Sequence, residues 1–408
     1  MPDYIPDFDY GGEIAEKEDN FILWPTEGGR TALIDADLLP YRVGFVTDEL
    51  QELEAHRLVE DGHFPRIEDT PQFQSAFDLL CTILNSWVRK AGCQSAILYS
   101  TKSDDNFRLN VAYSEPYKGQ RVTSSKPPFF SELKTAMTER HGCTLASGNE
   151  ADDWLSIEAW RRFHAELGPA GVKAGSSQHK ELCDCVIVSN DKDSTITPCY
   201  NLNPDTMNLQ WVDLIGKLEP KYKKAMIKSY EIQGTGEFYK KGAKAGQEKT
   251  KRVCVGEEPS KAIEKLRGSG LMFFYSQIIT GDTADNYKGL KGKGNTPALD
   301  ILSNCKTEKD LYSATLALYK EVHGEGELWV PNYQGTQKYY DICMESTGEP
   351  PKDWSFWKGK GAFLTAYDLM LEQGRLAWME TYEGDLWRKS KGRIINPFDK
   401  EFWIDYPN

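Results

Sequence analysis

No stretch of this sequence stays apolar long enough to cross a bilayer. Its start, Met1-Pro2-Asp3-Tyr4-Ile5-Pro6, has neither the basic nor the apolar part of a signal peptide. A cytoplasmic protein without a membrane partner is expected. Histidine is scarce, at six residues, and the nine cysteines are odd in number and scattered, which argues against a disulfide framework. The closest pair, Cys183 and Cys185, is separated by one residue in a strand-like run and matches no zinc spacing. Core thiols in a reducing compartment are the expectation. Positive charge is also short: 49 Lys and Arg against 62 Asp and Glu give a formal net charge of −13. That argues against indiscriminate binding to nucleic acid but leaves room for a local basic groove, because binding follows the local field.

What remains is an ordinary globular composition, 39% hydrophobic and 27% charged over 408 residues, enough for two or three domains or one decorated one. Residues 1–30 read as a loosely ordered acidic extension (Glu13, Glu16, Glu18, Asp19). Thr31-Ala32-Leu33-Ile34-Asp35-Ala36-Asp37 is an apolar strand running into two acids, the place where open α/β sheets put ligand chemistry. Residues 48–62 form an acidic surface helix or loop. Apolar residues near 3.6 spacing (Phe77, Leu80, Cys81, Leu84, Trp87, Val88) predict a helix over 73–91, and Ser95-Ala96-Ile97-Leu98-Tyr99 is a second strand. This β-α-β order predicts a parallel sheet with right-handed crossovers. Residues 101–130 lack clean periodicity; 131–140 look helical, and Cys143-Thr144-Leu145-Ala146 and Cys185-Val186-Ile187-Val188-Ser189 are further strands.

The sequence is organised around Gly148-Asn149-Glu150-Ala151-Asp152-Asp153-Trp154, where three carboxylates fall within four residues ahead of a helical apolar run. Asn149 can cap that helix and place the acids in its first turn. Three converging carboxylates still repel one another and invite a divalent cation. Two other junctions repeat the pattern: Asp191-Lys192-Asp193 after a buried strand, and Gly281-Asp282-Thr283-Ala284-Asp285-Asn286 after the apolar helix Leu271 to Ile279. Together Asp35, Glu150, Asp152, Asp153, Asp191, Asp193, Asp282 and Asp285 would make an all-oxygen site, which selects magnesium, with manganese as substitute, over zinc. So many acids can hold two ions roughly 4 Å apart, clamping the attacking and leaving oxygens of a phosphodiester.

A glycine-rich turn follows directly. Gly289, Gly292 and Gly294 allow close backbone approach, the next helix from Pro297 offers N–H groups to DNA phosphates, and Lys288, Lys291 and Lys293 add charge. Residues 217–252 hold eleven basic and four acidic residues, net +7, and read either as a solvated loop or as a phosphate-contacting surface. Residues 346–408 are rich in aromatics, which predicts packed helices.

In this combination the sequence resembles the 5′ nuclease (flap endonuclease) superfamily, most of all the 5′-to-3′ exonucleases of T-odd bacteriophages. The matching stretches are Leu33-Ile34-Asp35-Ala36-Asp37 with Arg42, Phe107-Arg108 through Tyr117-Lys118-Gly119-Gln120-Arg121, Glu150-Ala151-Asp152-Asp153, Asn190-Asp191-Lys192-Asp193, and Gly281-Asp282-Thr283-Ala284-Asp285-Asn286 with its glycines. They follow the family's order across roughly 31–300. The resemblance implies a PIN-like α/β nuclease core over 31–216 with a helical arch about 101–130. Beyond it come a basic insertion at 217–268, a helix–three-turn–helix DNA-binding region at 269–345 and a helical, aromatic-rich tail at 346–408. It assigns Asp35, Glu150, Asp152 and Asp191 to a first magnesium ion and Asp153, Asp193, Asp282 and Asp285 to a second. Lys118 and Arg121 become arch residues at the scissile phosphate, and Arg42 and Arg108 further DNA contacts.

The implied activity is two-metal 5′-to-3′ hydrolysis of duplex DNA from 5′ ends, with flaps, nicks, RNA–DNA hybrids and replication proteins as further partners. One departure is plain: an acid the family carries just after the second strand is here offered only by Asp104 or Asp105, at a shifted place. Two other readings compete. Asp35-x-Asp37 with a late Gly-Asp-x-x-Asp also resembles a haloacid-dehalogenase-type phosphatase, with the first Asp as nucleophile. The third reading is a DNA-binding protein that no longer catalyses.

Overall fold

The computed structural model describes residues 29–44, 46–119 and 126–406, leaving aside the side chains of residues 103–105. The acidic extension up to residue 28, Arg121, and the side chains of Asp104 and Asp105 therefore lie outside the described residues. The chain opens with β1 (Thr31–Asp35), buried throughout, and α1 (Leu38–Gly44) and α2 (Glu49–Glu60) follow. Next is α3 (Pro71–Lys90), whose start is fixed by Thr70, its hydroxyl accepting from the Phe73 amide, with Pro71 in the first turn. Its buried face of Phe73, Phe77, Leu80, Leu84 and Trp87 packs on the sheet, each side chain contributing about 1.5–3 kcal/mol. Then come β2 (Ser95–Asn106), α4 (Phe130–His141), β3 (Thr144–Gly148), α5 (Ala151–Arg162), α6 (Ser177–Leu182), β4 (Cys185–Val188), β5 (Tyr200–Asn203) and β6 (Asn208–Trp211).

The first six strands form one sheet in the order β3-β2-β1-β4-β5-β6, parallel except at the β6 edge. The α/β fold with a central, mostly parallel sheet is the one expected from the alternation of strand and helix patterns. Chain order reverses direction across the sheet between β1 and β4, and ligands of open α/β sheets bind outside the carboxyl ends at such a switch point.

The chain continues through β7 (Lys217–Tyr222), β8 (Met226–Phe238), β9 (Glu248–Pro259) and β10 (Ile263–Ser269). Residues 217–252, read from sequence as a solvated loop or a phosphate-contacting surface, fall within two antiparallel ladders that span the insertion at 217–268. β7 pairs with β10, and β8 with β9 in a ribbon beyond them. After these come α7 (Gly270–Thr280), α8 (Asn295–Leu302), α9 (Glu308–His323), β11 (Glu327–Pro331), α10 (Gln337–Thr347), α11 (Trp354–Trp357), β12 (Lys360–Thr365), α12 (Ala366–Ala377) and β13 (Ile404–Asp405).

The tail is not purely helical: β12 pairs with β11 and β13 in a three-stranded antiparallel sheet beside α12. Its aromatics are core, as expected, with Trp357 and Trp403 buried in one cluster and Trp387 in another. That second cluster runs through α7, α8, α9 and α12 and includes Val111, Ala112 and Tyr117. The tail therefore packs against residues 111–117.

Among the described residues no helix is long and apolar enough to cross a membrane. Cys183, Cys185 and Cys199 meet as buried thiols, and Cys183 and Cys199 each donate to the Cys185 carbonyl at 3.4 Å. They behave as core residues.

Candidate active site

The carboxyl ends of the parallel strands bring the acids together. Asp35 ends β1; its Oδ1 accepts from the Asp37 amide at 3.1 Å and its Oδ2 from Ser189 Oγ at 3.4 Å. Ser189 Oγ in turn accepts from the Asp191 amide at 3.0 Å, and Asp191 Oδ1 from the Asp193 amide at 2.8 Å. One hydroxyl and two backbone turns thus set the acids following β1 and β4 side by side. Asp35, Asp191, Glu150 and Asp152 line a common cleft of about 830 Å³ together with Asp37, Lys118 and Lys134.

The helix start at the opening cluster differs from expectation. Glu150, not Asn149, is the N-cap of α5, and its amide donates to Asp153 Oδ2 at 3.2 Å. Asn149 is buried and turned to Glu380 in the tail. Asp153 is fully buried and held by Arg108 through bonds of 2.6 and 2.9 Å. The same guanidinium donates to the carbonyls of Leu376 at 3.0 Å and Trp378 at 2.7 Å. Arg108 is only 3% exposed, so it is a clamp between core and tail and not a DNA contact. Asp153 is committed to that clamp rather than to a second ion.

The other three acids of the second group do converge. Ligand oxygens of Asp193, Asp282 and Asp285 lie within 4.8 Å of one another. Asp193 Oδ1 also accepts from Gln277 Nε2 at 2.6 Å, and Asp282 Oδ1 from the Ala284 amide at 2.8 Å. Lys192 stands 2.9 Å from Asp193 and directly against Asp282. Asp282 Oδ2 is buried against that ammonium. An all-carboxylate group of this kind suits a hard divalent cation. Lys118 joins the two groups: its Nζ contacts Glu150 and is 3.8 Å from Asp285.

Electrostatics follow from crowding. Burial, with Asp37 and Asp191 close by, raises the Asp35 pKa to about 7. Burial and Asp193 raise Asp191 to about 6. Burial followed by Asp153 and Glu150 pushes Asp152 well above the ordinary carboxylate value. Burial also raises Asp285, against the pull of Lys118. Glu150 is half-buried, but Arg108 and Lys118 outweigh the desolvation and hold it below its usual value. Lys192 does the same for Asp282. Where a cation touches the carboxylate directly, as at Glu150 and Asp282, it outweighs burial; at Asp35, Asp152, Asp191 and Asp285 burial and like charge win.

The glycine turn is partly structural. Asp282 and Tyr287 bridge each other through both backbone bonds, at 2.7 and 3.0 Å, and this closes the loop. Gly281 and Gly289 then meet backbone to backbone, both at positive φ (73° and 61°), where a side chain would collide with main chain. The Gly289 amide is used by Gln373 Oε1 at 2.8 Å, so it cannot serve DNA as expected. Gly292 faces open space at φ 79°, and Gly294 is the N-cap of α8. Lys288 is paired with Glu115 and Lys293 with Glu321, while Lys291 is exposed. Arg42 pairs with Asp205, in the turn that follows β5.

Sequence reasoning missed Gln277, Lys134, Tyr117 and Glu380. Gln277 was signalled by a Ser-Gln pair inside an apolar helix; the others had no local signal. Tyr117 OH donates to Glu150 Oε2 at 3.0 Å, and Lys134 donates to Asp37 at 2.9 Å.

Fold and site together define an α/β protein with a divided, all-carboxylate site at the switch point of its sheet. Neither a family model nor a curated protein sequence matches the chain. Solved structures do align with it. A bacteriophage T5 flap endonuclease variant, as a pseudo-enzyme–product complex with DNA and metal ions, is 14% identical over 86% of this chain and 90% of that one, with a TM-score of 0.40. A T5 5′-exonuclease with bound zinc is 15% identical over 85% and 89%, with a TM-score of 0.37.

Proposed function

We propose that the protein is a divalent-metal-dependent 5′ nuclease, and more finely a 5′-to-3′ exonuclease that uses two magnesium ions on duplex DNA. The observation that carries this reading is the division of the acids into two groups, one lining the cleft and one clustered apart from it, with Lys118 reaching an acid of each. Asp35, Glu150, Asp152 and Asp191 would hold one ion, and Asp193, Asp282 and Asp285 the other. Bound there, the ions would lower the pKa of the attacking water and neutralise the phosphate. The chain's own residues supply the rest. Lys118, reaching one acid of each group, is placed to stabilise charge developing on a phosphate at their boundary. Tyr117 and Arg108 fix Glu150, which keeps that acid ionised and oriented. Gly292, the start of α8 and Lys291 offer amides and charge to a phosphate further along the strand.

The phosphatase reading needs Asp37 as a proton donor. Asp37 instead accepts from Ser100 Oγ at 2.6 Å, the Thr101 amide at 2.9 Å and Lys134, and although half-buried is held below its ordinary pKa by the Lys134 charge. An acid kept ionised this way is a poor proton donor.

The deciding experiment incubates 5′-labelled duplex, magnesium and either the wild type or Asp191→Asn. Short labelled products from the wild type alone support the proposal. Turnover of a small phosphomonoester with intact DNA would replace it with the phosphatase, and binding without turnover with an inert DNA-binding protein.

A further inference from the structure

The β8–β9 ribbon has no place in the reaction above, and its composition is unusual for a strand pair. Every residue of β8 is exposed, including Met226, Ile227, Tyr230, Ile232 and Phe238, and in β9 only two positions are even half-buried. A two-stranded ribbon without a covered face is marginal by itself. This one is carried on a firm root. The β7–β10 ladder packs through Leu218, Ile263 and Leu266 on the cluster that includes α7 and α8. Thr195, two residues beyond Asp193, donates its hydroxyl to the Gly268 carbonyl at 3.2 Å. The ribbon is therefore anchored to the loop that carries the second acid group.

Charge is distributed along it unevenly. The turn and its flanks, residues 239–252, hold six basic residues and one acid in a chain of net charge −13. Lys249 is paired with Glu237 and Arg252 lies over the Tyr230 ring, but Lys240, Lys241, Lys244 and Lys251 form no ion pair with described residues. At the root, Lys217, Lys265 and Arg267 line a cleft of about 550 Å³ shared with Asp191 and Lys192 and with the amides of Asn201 and Gln210. Basic side chains thus begin beside the catalytic acids and reappear at the far end of the ribbon. Thirteen residues of strand reach ~43 Å, the length of about 12 base pairs.

We infer that this ribbon is a second duplex-DNA contact, a lysine-tipped arm that grips the backbone about one helical turn away from the cleavage site. The inference rests on the nuclease reading. It commits to the phosphate backbone because unpaired lysines at a tip match a regular anionic rod, while the exposed apolar strand faces are of the kind that lie in a groove.

The test uses full-length protein in calcium, with blunt duplexes of about 10 and about 30 base pairs. Two variants are compared with wild type: Lys240→Glu/Lys241→Glu/Lys244→Glu, and replacement of residues 226–259 by two glycines. The longer duplex is expected to bind each variant at least about tenfold more weakly. For the lysine variant the slope of log K against log salt should also be shallower by about two to three. The short duplex is expected to bind all three proteins alike. Equal binding of the long duplex, or equal loss on both lengths, would overturn the arm; the former would leave the ribbon for a protein partner. Failure of the wild type to bind either duplex would overturn the nuclease reading itself.

Discussion

Arg108 and Asp153 form a fully desolvated, two-pronged ion pair at the base of the acidic cleft, with bonds of 2.6 and 2.9 Å. The remaining donors of that guanidinium reach carbonyls 268 and 270 residues further along the chain. Breaking a buried pair by removing one partner costs about 3–5 kcal/mol, because the other charge is left unpaired. Arg108→Ala and Asp153→Asn should therefore both lower stability to denaturant by roughly that amount. An Asp153→Asn variant of wild-type stability with weakened metal binding would show that Asp153 is a ligand after all.

Lys192 occupies the position between Asp193 and Asp282 that a cation would contest. Lys192→Met should tighten binding of the second divalent ion several-fold in calorimetry and lower stability in its absence. Unchanged affinity would remove Lys192 from competition with the ion.

The raised carboxyls give a pH signature. Folded Asp35 and Asp191, at about 7 and about 6, sit above the ordinary carboxylate value of 3.8, so the folded state binds protons more tightly than the unfolded one. The stability they contribute is present below about pH 4 and is lost as pH rises through 6 and 7. A divalent ion favours the ionised forms. The rise in melting temperature on adding magnesium should therefore grow across this window. A rise that is the same at every pH would contradict the assignment.

Lys118→Ala should lower kcat by about 10²–10³ while changing DNA affinity little, because the group acts on charge that develops during reaction. Equal losses in rate and in affinity would reduce Lys118 to a binding contact.

Gly289→Ala places a side chain against the backbone of Gly281 at positive φ and should cost more than about 2 kcal/mol. Gly292→Ala, in open space, should cost about 1 kcal/mol from its φ alone. Similar costs for both, read from chemical unfolding, would argue against close packing of the Gly281 and Gly289 turns.

Much of the site was legible because its logic is local. A buried strand that runs into an acid, as at Asp35 and Asp191, announces its place at the carboxyl edge of the sheet. What could not be read depends on distance in sequence. Asp153 looks like its neighbours until Arg108 and the carbonyls of Leu376 and Trp378 surround it. Gly289 looks like a phosphate cradle until Gln373, 84 residues on, takes its amide. The ribbon was hidden for another reason: with both faces exposed, no burial imposes the alternation by which strands are recognised. The tail strand β12 was masked by the aromatics around it.

The central claim is that the divided acidic site hydrolyses DNA from its 5′ end. The most direct measurement follows a duplex with a fluorophore on one 5′ end and blocked 3′ ends, incubated with wild-type protein and magnesium. The expected result is early release of the label on very short products, absent with Asp191→Asn. Label retained on long fragments while the duplex shortens from the other side, or products unaffected by that substitution, would contradict it.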